Sequence, residues 1–303
     1  MNYGLRNGYL CAMKSGSAVL KWTIFIALAL TWGSSFILMK RGLEIYSSEQ
    51  VAALRIFIAF LFLAPLGWKY INKQLLRSWQ GAVGMGVFGN LIPAFLFTKA
   101  ETVITSALTG MLNSLTPLFT LVVGLFIFRT RVNWWQVCGV VLGIIGTIAL
   151  LQIGDKDERN TDVVLGTVLV IAATLCYGIS VNIIKIKLDG VNAVAATVFA
   201  MYIIGPVAGI YLFTTDFIAR LSLPGAYESL GFITILAVFG TALSVIVFNV
   251  LIREAGALFA SSVTYLIPIV AMGWGLLDHE IVTWMHAVCI TVILGGVWLV
   301  NKK

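Results

Sequence analysis

Apolar residues run through this chain in about ten continuous stretches, each long enough to form one helix across a bilayer. A transmembrane helix requires roughly 20 mostly apolar residues. The stretches are continuously apolar, whereas a membrane β-strand alternates apolar and polar residues. The pattern therefore predicts an all-α membrane protein with ten transmembrane helices. The predicted spans are 22–39, 48–68, 79–98, 103–127, 133–152, 163–184, 192–213, 230–250, 257–277 and 283–300.

The second five spans repeat the first five in order. A shift of 151 residues places Val87-Phe88-Gly89 on Val238-Phe239-Gly240 and Pro117 on Pro268. Because five is an odd number, the second unit enters the membrane from the opposite side, which relates the units by a pseudo-two-fold axis in the membrane plane. The sequence thus predicts two inverted five-helix repeats, at 22–154 and 163–301, that meet around a substrate near mid-membrane.

Composition and charge agree with a multi-pass membrane protein. Hydrophobic residues make up 60% of the chain and charged residues 11%, too few to cover a soluble protein of this length. The net charge is +7. Thirteen of the 20 Lys and Arg residues lie on the same side of the predicted membrane as the N-terminus. This bias predicts that both termini are cytoplasmic. The basic excess indicates orientation, so no nucleic-acid partner is predicted.

Polar and aromatic side chains at mid-span predict the binding site, because such groups avoid lipid and face protein or water. Small polar residues also bond the preceding helical turn or join helices, so a packing role stays open for each of them. A cavity lined by these groups suits a small, neutral or zwitterionic solute. The predicted substrate-binding residues are Trp32, Ser35, Asn90, Asn113, Tyr177, Ser180, Thr241 and Tyr265.

Three further features of the spans carry functional hypotheses. Arg55 is the one charge well inside a span, placed to recognise an anionic group, to reach the headgroups or to bond a helix. The repeat-matched Pro117 and Pro268 are hinge candidates, or they only shape packing. Gly139, Gly143 and Gly146 in span 5, like Gly295-Gly296 in span 10, predict a close-packing helix face whose partner helix belongs to this chain or to a second copy in a homodimer.

Catalytic chemistry has no support in the sequence. An intramembrane enzyme needs paired carboxylates, a metal site or an activated nucleophile, and the two histidines, His279 and His286, lie around the last connection. We predict no enzyme activity, no metal site and no cofactor. Glu101, Asp278 and Glu280 lie near span ends, so a proton relay lacks a mid-membrane carrier, and uniport and exchange stay open. A channel or scaffold is the alternative function.

Several motifs resemble the EamA-type family of drug/metabolite transporters. They are Leu54-Arg55-Ile56-Phe57 in span 2, the run 107–120 in span 4, and the run 262–270 followed by residues 275–280. The resemblance implies an inverted-repeat carrier in the plasma (bacterial inner) membrane, with a cavity lined mainly by helices 1, 3, 4, 6, 8 and 9. It also implies export of amino-acid-like metabolites by alternating access. The family's Gly-Glu-Arg turn after helix 4 is replaced here by Phe128-Arg129-Thr130-Arg131, so a glutamate role there is not expected.

Overall fold

Helices account for all the regular structure in the described part of the chain. The computed structural model describes residues 18–70, 78–128, 133–151 and 160–301, and 129–131 therefore lies outside it. We number the long helical segments α1 to α10 and treat as one segment the helices that at most one residue separates, except at Gly256, where a positive φ of 89° ends a segment. The first half contains α1 (Ala18–Gly33 and Ser35–Leu43), α2 (Ser48–Tyr70), α3 (Trp79–Gly86, Val87–Leu91 and Ile92–Ala100), α4 (Ser106–Leu112, Asn113–Leu115 and Thr116–Phe126) and α5 (Trp134–Leu151).

The second half follows the same order. It contains α6 (Asn160–Lys187), α7 (Ala193–Phe213), a short helix Phe217–Arg220, α8 (Ala226–Ile235, Leu236–Leu243 and Ser244–Ala255), α9 (Ala257–Ser261, Ser262–Tyr265 and Ile267–Leu277) and α10 (Trp284–Asn301). Among the described residues, eight helices are long and apolar enough to cross a membrane, while α5 and α10 are shorter apolar helices.

The predicted span limits differ from the structure by at most five residues, with the largest differences at α1 and α8. Helix α4 begins at Ser106 because the Thr105 hydroxyl accepts the backbone N–H of Leu108 at 3.2 Å and caps the helix. Helix α8, predicted over 230–250, extends from Ala226 to Ala255. The longer α8 places its later polar residues deeper in the protein than the sequence indicates.

Irregular turns occur at matching places in the two halves. Residues Val87–Leu91 and Leu236–Leu243 are π-helical, and Asn113–Leu115 and Ser262–Tyr265 are 3₁₀-helical. Each 3₁₀ turn precedes one of the prolines predicted as hinges, because a proline has no N–H to bond the preceding turn. The Asn113 carbonyl accepts the Thr116 hydroxyl instead, at 2.8 Å. The structure shows helix breaks at both prolines; bending at them stays a prediction.

Counterpart helices of the two halves pack against each other and run antiparallel. In the α2–α7 pair, Phe57 lies against Gly209 and Gly67 lies against Tyr202. The α4–α9 pair brings Ala107 to Gly275 and Gly110 to Ala271, and the α5–α10 pair brings Gly139 to Gly296. The predicted glycine face of α5 therefore packs within this chain.

Two further sets of contacts between the halves occur in matched pairs. Gly33 of α1 lies against Val270 of α9, and its counterpart Gly178 of α6 lies against Phe119 of α4. In the same way Gly240 lies against Ser35, and Gly89 lies against Ser180. These helices, α1, α3, α4, α6, α8 and α9, enclose the centre of the molecule.

Candidate functional site

A cavity lies at the centre of the molecule, where the two halves meet. About 90 Å³ of it is open to the centres of water molecules, which is room for several waters or for part of a small solute. Its lining comes from α1, α2, α3, α4, α6, α8 and α9. The walls are mostly apolar, with a few polar groups, as in most small-molecule sites.

Most of the predicted residues line this cavity. They are Trp32, Ser35, Asn90, Asn113, Tyr177 and Ser180, together with Arg55. Ser35, Asn90, Asn113 and Ser180 are buried in the protein, away from lipid. Their presence at the cavity agrees with the reasoning that polar mid-span groups face inward, and binding of a substrate by them stays a prediction.

Two predicted residues do not line the cavity. The Tyr265 hydroxyl donates to the Val297 carbonyl at 2.9 Å, so it joins α9 to α10. The Thr241 hydroxyl accepts Nε of Arg55 at 2.7 Å and thereby supports a cavity residue. Both contacts are structural roles of the kind that the sequence left open.

Arg55 is buried, with 9% of its surface exposed, and it lines the cavity. Besides its bond to Thr241, its Nη1 lies 3.8 Å from the sulfur of Met39. Tyr177 of α6 also interacts with the guanidinium. The side chain therefore does not reach toward headgroups but presents a positive charge to the cavity. A positive charge in a low-dielectric site attracts anionic groups such as a carboxylate.

The π turn of α8 shapes one wall of the cavity. Trp32 of α1 donates its indole N–H to the Gly240 carbonyl within this turn at 3.0 Å. The Trp32 ring also meets Phe248 edge-on, with ring centroids 4.9 Å apart. On the other side, Phe97 stacks on Tyr177 at 5.6 Å. These aromatic surfaces and hydrogen-bonding groups suit a small solute that has both apolar and polar parts.

Asn249 is a cavity residue that the sequence reasoning missed. Its Nδ2 donates to the Thr197 hydroxyl at 2.8 Å, and its buried Oδ1 has no hydrogen-bond partner among the described residues. A buried acceptor without a partner is rare in proteins and often marks a place where a ligand or water binds. The predicted span ends at 250, one residue beyond Asn249, whereas α8 continues to Ala255 and therefore holds Asn249 inside the helix.

An ion-pair cluster joins the two halves beyond one end of the cavity. Lys40 of α1 pairs with Asp278 at 2.5 Å and with Glu280 at 2.7 Å, and Arg41 also pairs with Asp278. Glu280 further accepts the Ala107 N–H at 2.9 Å and the Ser106 hydroxyl at 2.8 Å. We call this cluster the Lys40 lock and the end of the molecule that carries it the Lys40 face.

The lock holds its carboxylates in the charged form. Burial by itself would raise the pKa of Glu280, but hydrogen bonds from Lys40, Ala107 and Ser106 outweigh it and lower that pKa. The pKa of Asp278 is lowered in the same way, since Lys40 and Arg41 outweigh its burial. The lock therefore ties α1, the start of α4 and the segment after α9 together at neutral pH.

Among the described residues, no group of three His, Cys, Asp or Glu side chains is placed to hold a metal ion. The chemistry that the cavity residues do offer consists of amide and hydroxyl hydrogen bonds and aromatic faces, together with one guanidinium.

Comparison with known proteins places the chain in a family. The model of the EamA-like transporter family matches twice, at residues 20–152 and at residues 164–302. An uncharacterized transporter of Archaeoglobus fulgidus is 25% identical over 93% of this chain and 99% of its own length. The uncharacterized inner membrane transporter YedA of Escherichia coli K12 is 28% identical over 91% of this chain and 88% of its own length.

Two further similarities cover part of the sequence or the fold. A Salmonella typhimurium protein named "Probable amino-acid metabolite efflux pump" is 28% identical over 42% of each chain. A solved crystal structure shares the fold, with a TM-score of 0.65 at 14% identity, over 93% of this chain and 96% of that chain. The two family matches together span most of the sequence, and this protein therefore belongs to the EamA-like transporter family of multi-pass membrane proteins.

Proposed function

We propose that this protein is a secondary transporter that carries small metabolites across the membrane by alternating access. The observation that carries the proposal is the central cavity, which lies between the halves and takes its lining from both. A site at the interface of two repeats can open to either side when one repeat rocks against the other. The ion pairs of the Lys40 lock join the two halves at one face, so they are the contacts that open on that side in this cycle.

An inverted repeat, with ten crossings in the units 22–154 and 163–301, is the architecture that this cycle requires. The antiparallel packing of α2 on α7, α4 on α9 and α5 on α10 supports it. The matched contacts Gly33–Val270 and Gly178–Phe119 support it as well, since exchange of the two units would exchange these contacts. Two conformations of similar free energy follow if each unit can adopt the conformation of the other.

Amino-acid-like solutes are the substrate class that the cavity fits best. Arg55 would receive a carboxylate, and the open Oδ1 of Asn249 would accept from an ammonium group. The name of the Salmonella typhimurium relative suggests export of such solutes. The name of YedA suggests the bacterial inner membrane, and the positive-inside bias suggests that both termini are cytoplasmic.

Counterflow in proteoliposomes tests the proposal, with the protein amino acids as radiolabelled probes. Vesicles preloaded with an unlabelled amino acid should accumulate the labelled one with saturable kinetics. A channel gives unsaturable flux without counterflow, and a scaffold gives none, so either result would overturn the carrier.

The cavity itself is tested with one substitution and one control. Asn113→Ala removes a buried amide from the lining and should raise the half-saturation concentration about tenfold, the equivalent of one hydrogen bond of about 1.4 kcal/mol. Thr291→Ala removes an exposed hydroxyl of α10 that bonds only its own helix, and it should leave transport unchanged. Equal kinetics in both variants would show that the solute binds elsewhere.

A further inference from the structure

Glu101 has a buried carboxyl group that the proposed binding site does not use. The residue follows the last residue of α3. Both of its carboxyl oxygens are buried, and neither has a hydrogen-bond partner among the described residues. An ionised carboxylate in such a place costs several kcal/mol, whereas a protonated one costs much less. Burial therefore favours the neutral form of this group.

The charges around Glu101 come from three other segments of the chain. Burial raises the pKa of Glu101 most, Glu280 raises it further, and Arg55 of α2 and Lys40 of α1 lower it less, so the pKa stands well above its ordinary 4.5. Neither cation pairs with Glu101 here, because Lys40 is held by Glu280 and Asp278 while Arg55 donates to Thr241. Because Lys40 is paired within the lock, it does not form an ion pair that would stabilise a negative charge on Glu101.

Glu101 also lies near the surface and near a charged residue of the central cavity. It lines a groove that is open at the Lys40 face, and we call this groove the vestibule. Arg55, whose positive charge lowers the pKa of Glu101, lines the central cavity. The other titratable and charged residues of the vestibule are Lys40, Glu44, Tyr46, Glu49, Lys99 and Arg220. Of these, Glu49 and Lys99 pair with each other at 3.7 Å, and Arg220 pairs with Asp216 at 2.9 Å.

We propose that Glu101 is a proton-binding site that couples solute movement to a proton gradient. In the conformation described here the Lys40 lock is closed and Glu101 holds a proton. When the lock opens, Lys40 becomes free and the vestibule admits water. The Glu101 carboxyl then gives its proton to a water molecule, and the carboxylate pairs with a nearby cation.

Thermodynamic linkage gives the sign of the pH effect. The closed conformation binds the proton more tightly than the open one, so protonation must favour closure by the same factor. The stabilisation of the closed conformation by this proton is fully present at a pH below the pKa that Glu101 has in the open conformation. It is lost as the pH rises through the raised pKa of the closed conformation. Acid at the Lys40 face should therefore favour the closed lock, and alkali should favour opening.

Infrared spectroscopy of the protein in nanodiscs tests proton binding without any substrate. At neutral pH the wild type should show the carbonyl band of a protonated carboxylic acid, and Glu101→Gln should lack it. Glu49→Gln is the matched control, because it removes a half-exposed carboxylate of the same vestibule, and it should keep the band. A band absent from the wild type, or retained in Glu101→Gln, would overturn the proposal. If Glu101→Gln does not fold, Glu101→Asp takes its place and should shift the band.

Coupling rests on the proposed carrier function, and the transport assay separates the two. Amino acids added to proteoliposomes that contain a trapped pH dye should drive proton flux in the wild type. Glu101→Gln should lose this flux at least tenfold and retain counterflow at equal pH on both sides. Counterflow without proton flux in the wild type would overturn the coupling and leave the carrier standing. Loss of all counterflow in the wild type would overturn the carrier, while the infrared result would still decide whether Glu101 binds a proton.

Discussion

Arg55 illustrates how one charged residue is kept inside a membrane protein. The side chain is buried and receives its support from Thr241, a residue of the opposite half. Loss of one partner of a buried charged group costs more than loss of a neutral hydrogen bond, because the charge stays buried without compensation. The Arg55–Thr241 bond should therefore contribute to stability as well as to the position of the guanidinium.

Replacement of Thr241 by Val should lower stability by about 2 kcal/mol, the cost of a lost hydrogen bond to a charged group. The change keeps the shape of the side chain and removes the acceptor of Arg55 Nε. Thermal unfolding in detergent measures the effect. Thr291→Val, which removes an exposed hydroxyl bonded only to Ala287 of its own helix, should change the unfolding midpoint much less. Equal midpoints would show that Thr241 does not support the charge.

At the residue scale, the sequence predicts cavity residues well where a polar group lies far from both span ends. Asn90 and Asn113 are such residues, and both line the cavity. The reasoning fails where position along the span is misjudged, as for Asn249, or where the partner is another helix, as for Tyr265 with Val297. Glu101 follows a predicted span, so the sequence gives it no role within the membrane. Its burial depends on the packing of other segments around it, which a single sequence does not reveal.

At the scale of elements, glycine determines how closely the α5–α10 pair can approach. A Cβ at position 296 would lie 2.6 Å from the Gly139 carbonyl oxygen and 2.8 Å from the Gly143 nitrogen. Both are backbone atoms, which cannot move aside as a side chain end can. The two helices can therefore pack at this distance only while glycine is retained.

Gly296→Ala should lower the unfolding midpoint, because the methyl group forces the two backbones apart. The matched control is Gly273→Ala in α9, where an added Cβ meets no atom within 4 Å. That variant should keep or raise the midpoint, since alanine favours a helix more than glycine by about 1 kcal/mol. If both variants unfold at the same temperature, close packing at Gly296 is not limiting.

The helices show which structural features the hydrophobic pattern predicts and which it does not. Length and apolar character predict where helices lie, and the prolines at 117 and 268 indicate where α4 and α9 are interrupted. The π turns at Val87–Leu91 and Leu236–Leu243 have no comparable signal, because a π turn depends on how neighbouring helices use the carbonyls that it exposes. Trp32 binding to Gly240 is such a use.

At the scale of the whole molecule, the Lys40 lock joins segments of both halves at one face. Glu280 is its centre, since it bonds Lys40 of α1 as well as Ser106 and Ala107 at the start of α4. The pKa of Glu280 is lowered in the folded protein. Its contribution to the stability of the closed lock is therefore present at a pH above the ordinary pKa of 4.5, and it is lost as the pH falls through the lowered pKa.

Glu280→Gln should open the Lys40 face more often. The amide cannot form the ion pair with Lys40, so the open conformation should gain about tenfold in population. A cysteine at Ser35, in a background without native cysteines, should then react about tenfold faster with a membrane-impermeant maleimide. Glu228→Gln, at an exposed position on α8 near the same face, is the control and should leave the rate unchanged. An unchanged rate in Glu280→Gln would exclude the lock as a barrier.

The unequal lengths of the helices have a consequence for the surrounding lipid. The 21 residues of α7 give about 32 Å, whereas the 30 residues of α8 give about 45 Å. An upright α8 is longer than the hydrocarbon core of a bilayer, so this helix is expected to tilt. Acyl chain length is therefore expected to tune the activity of this transporter.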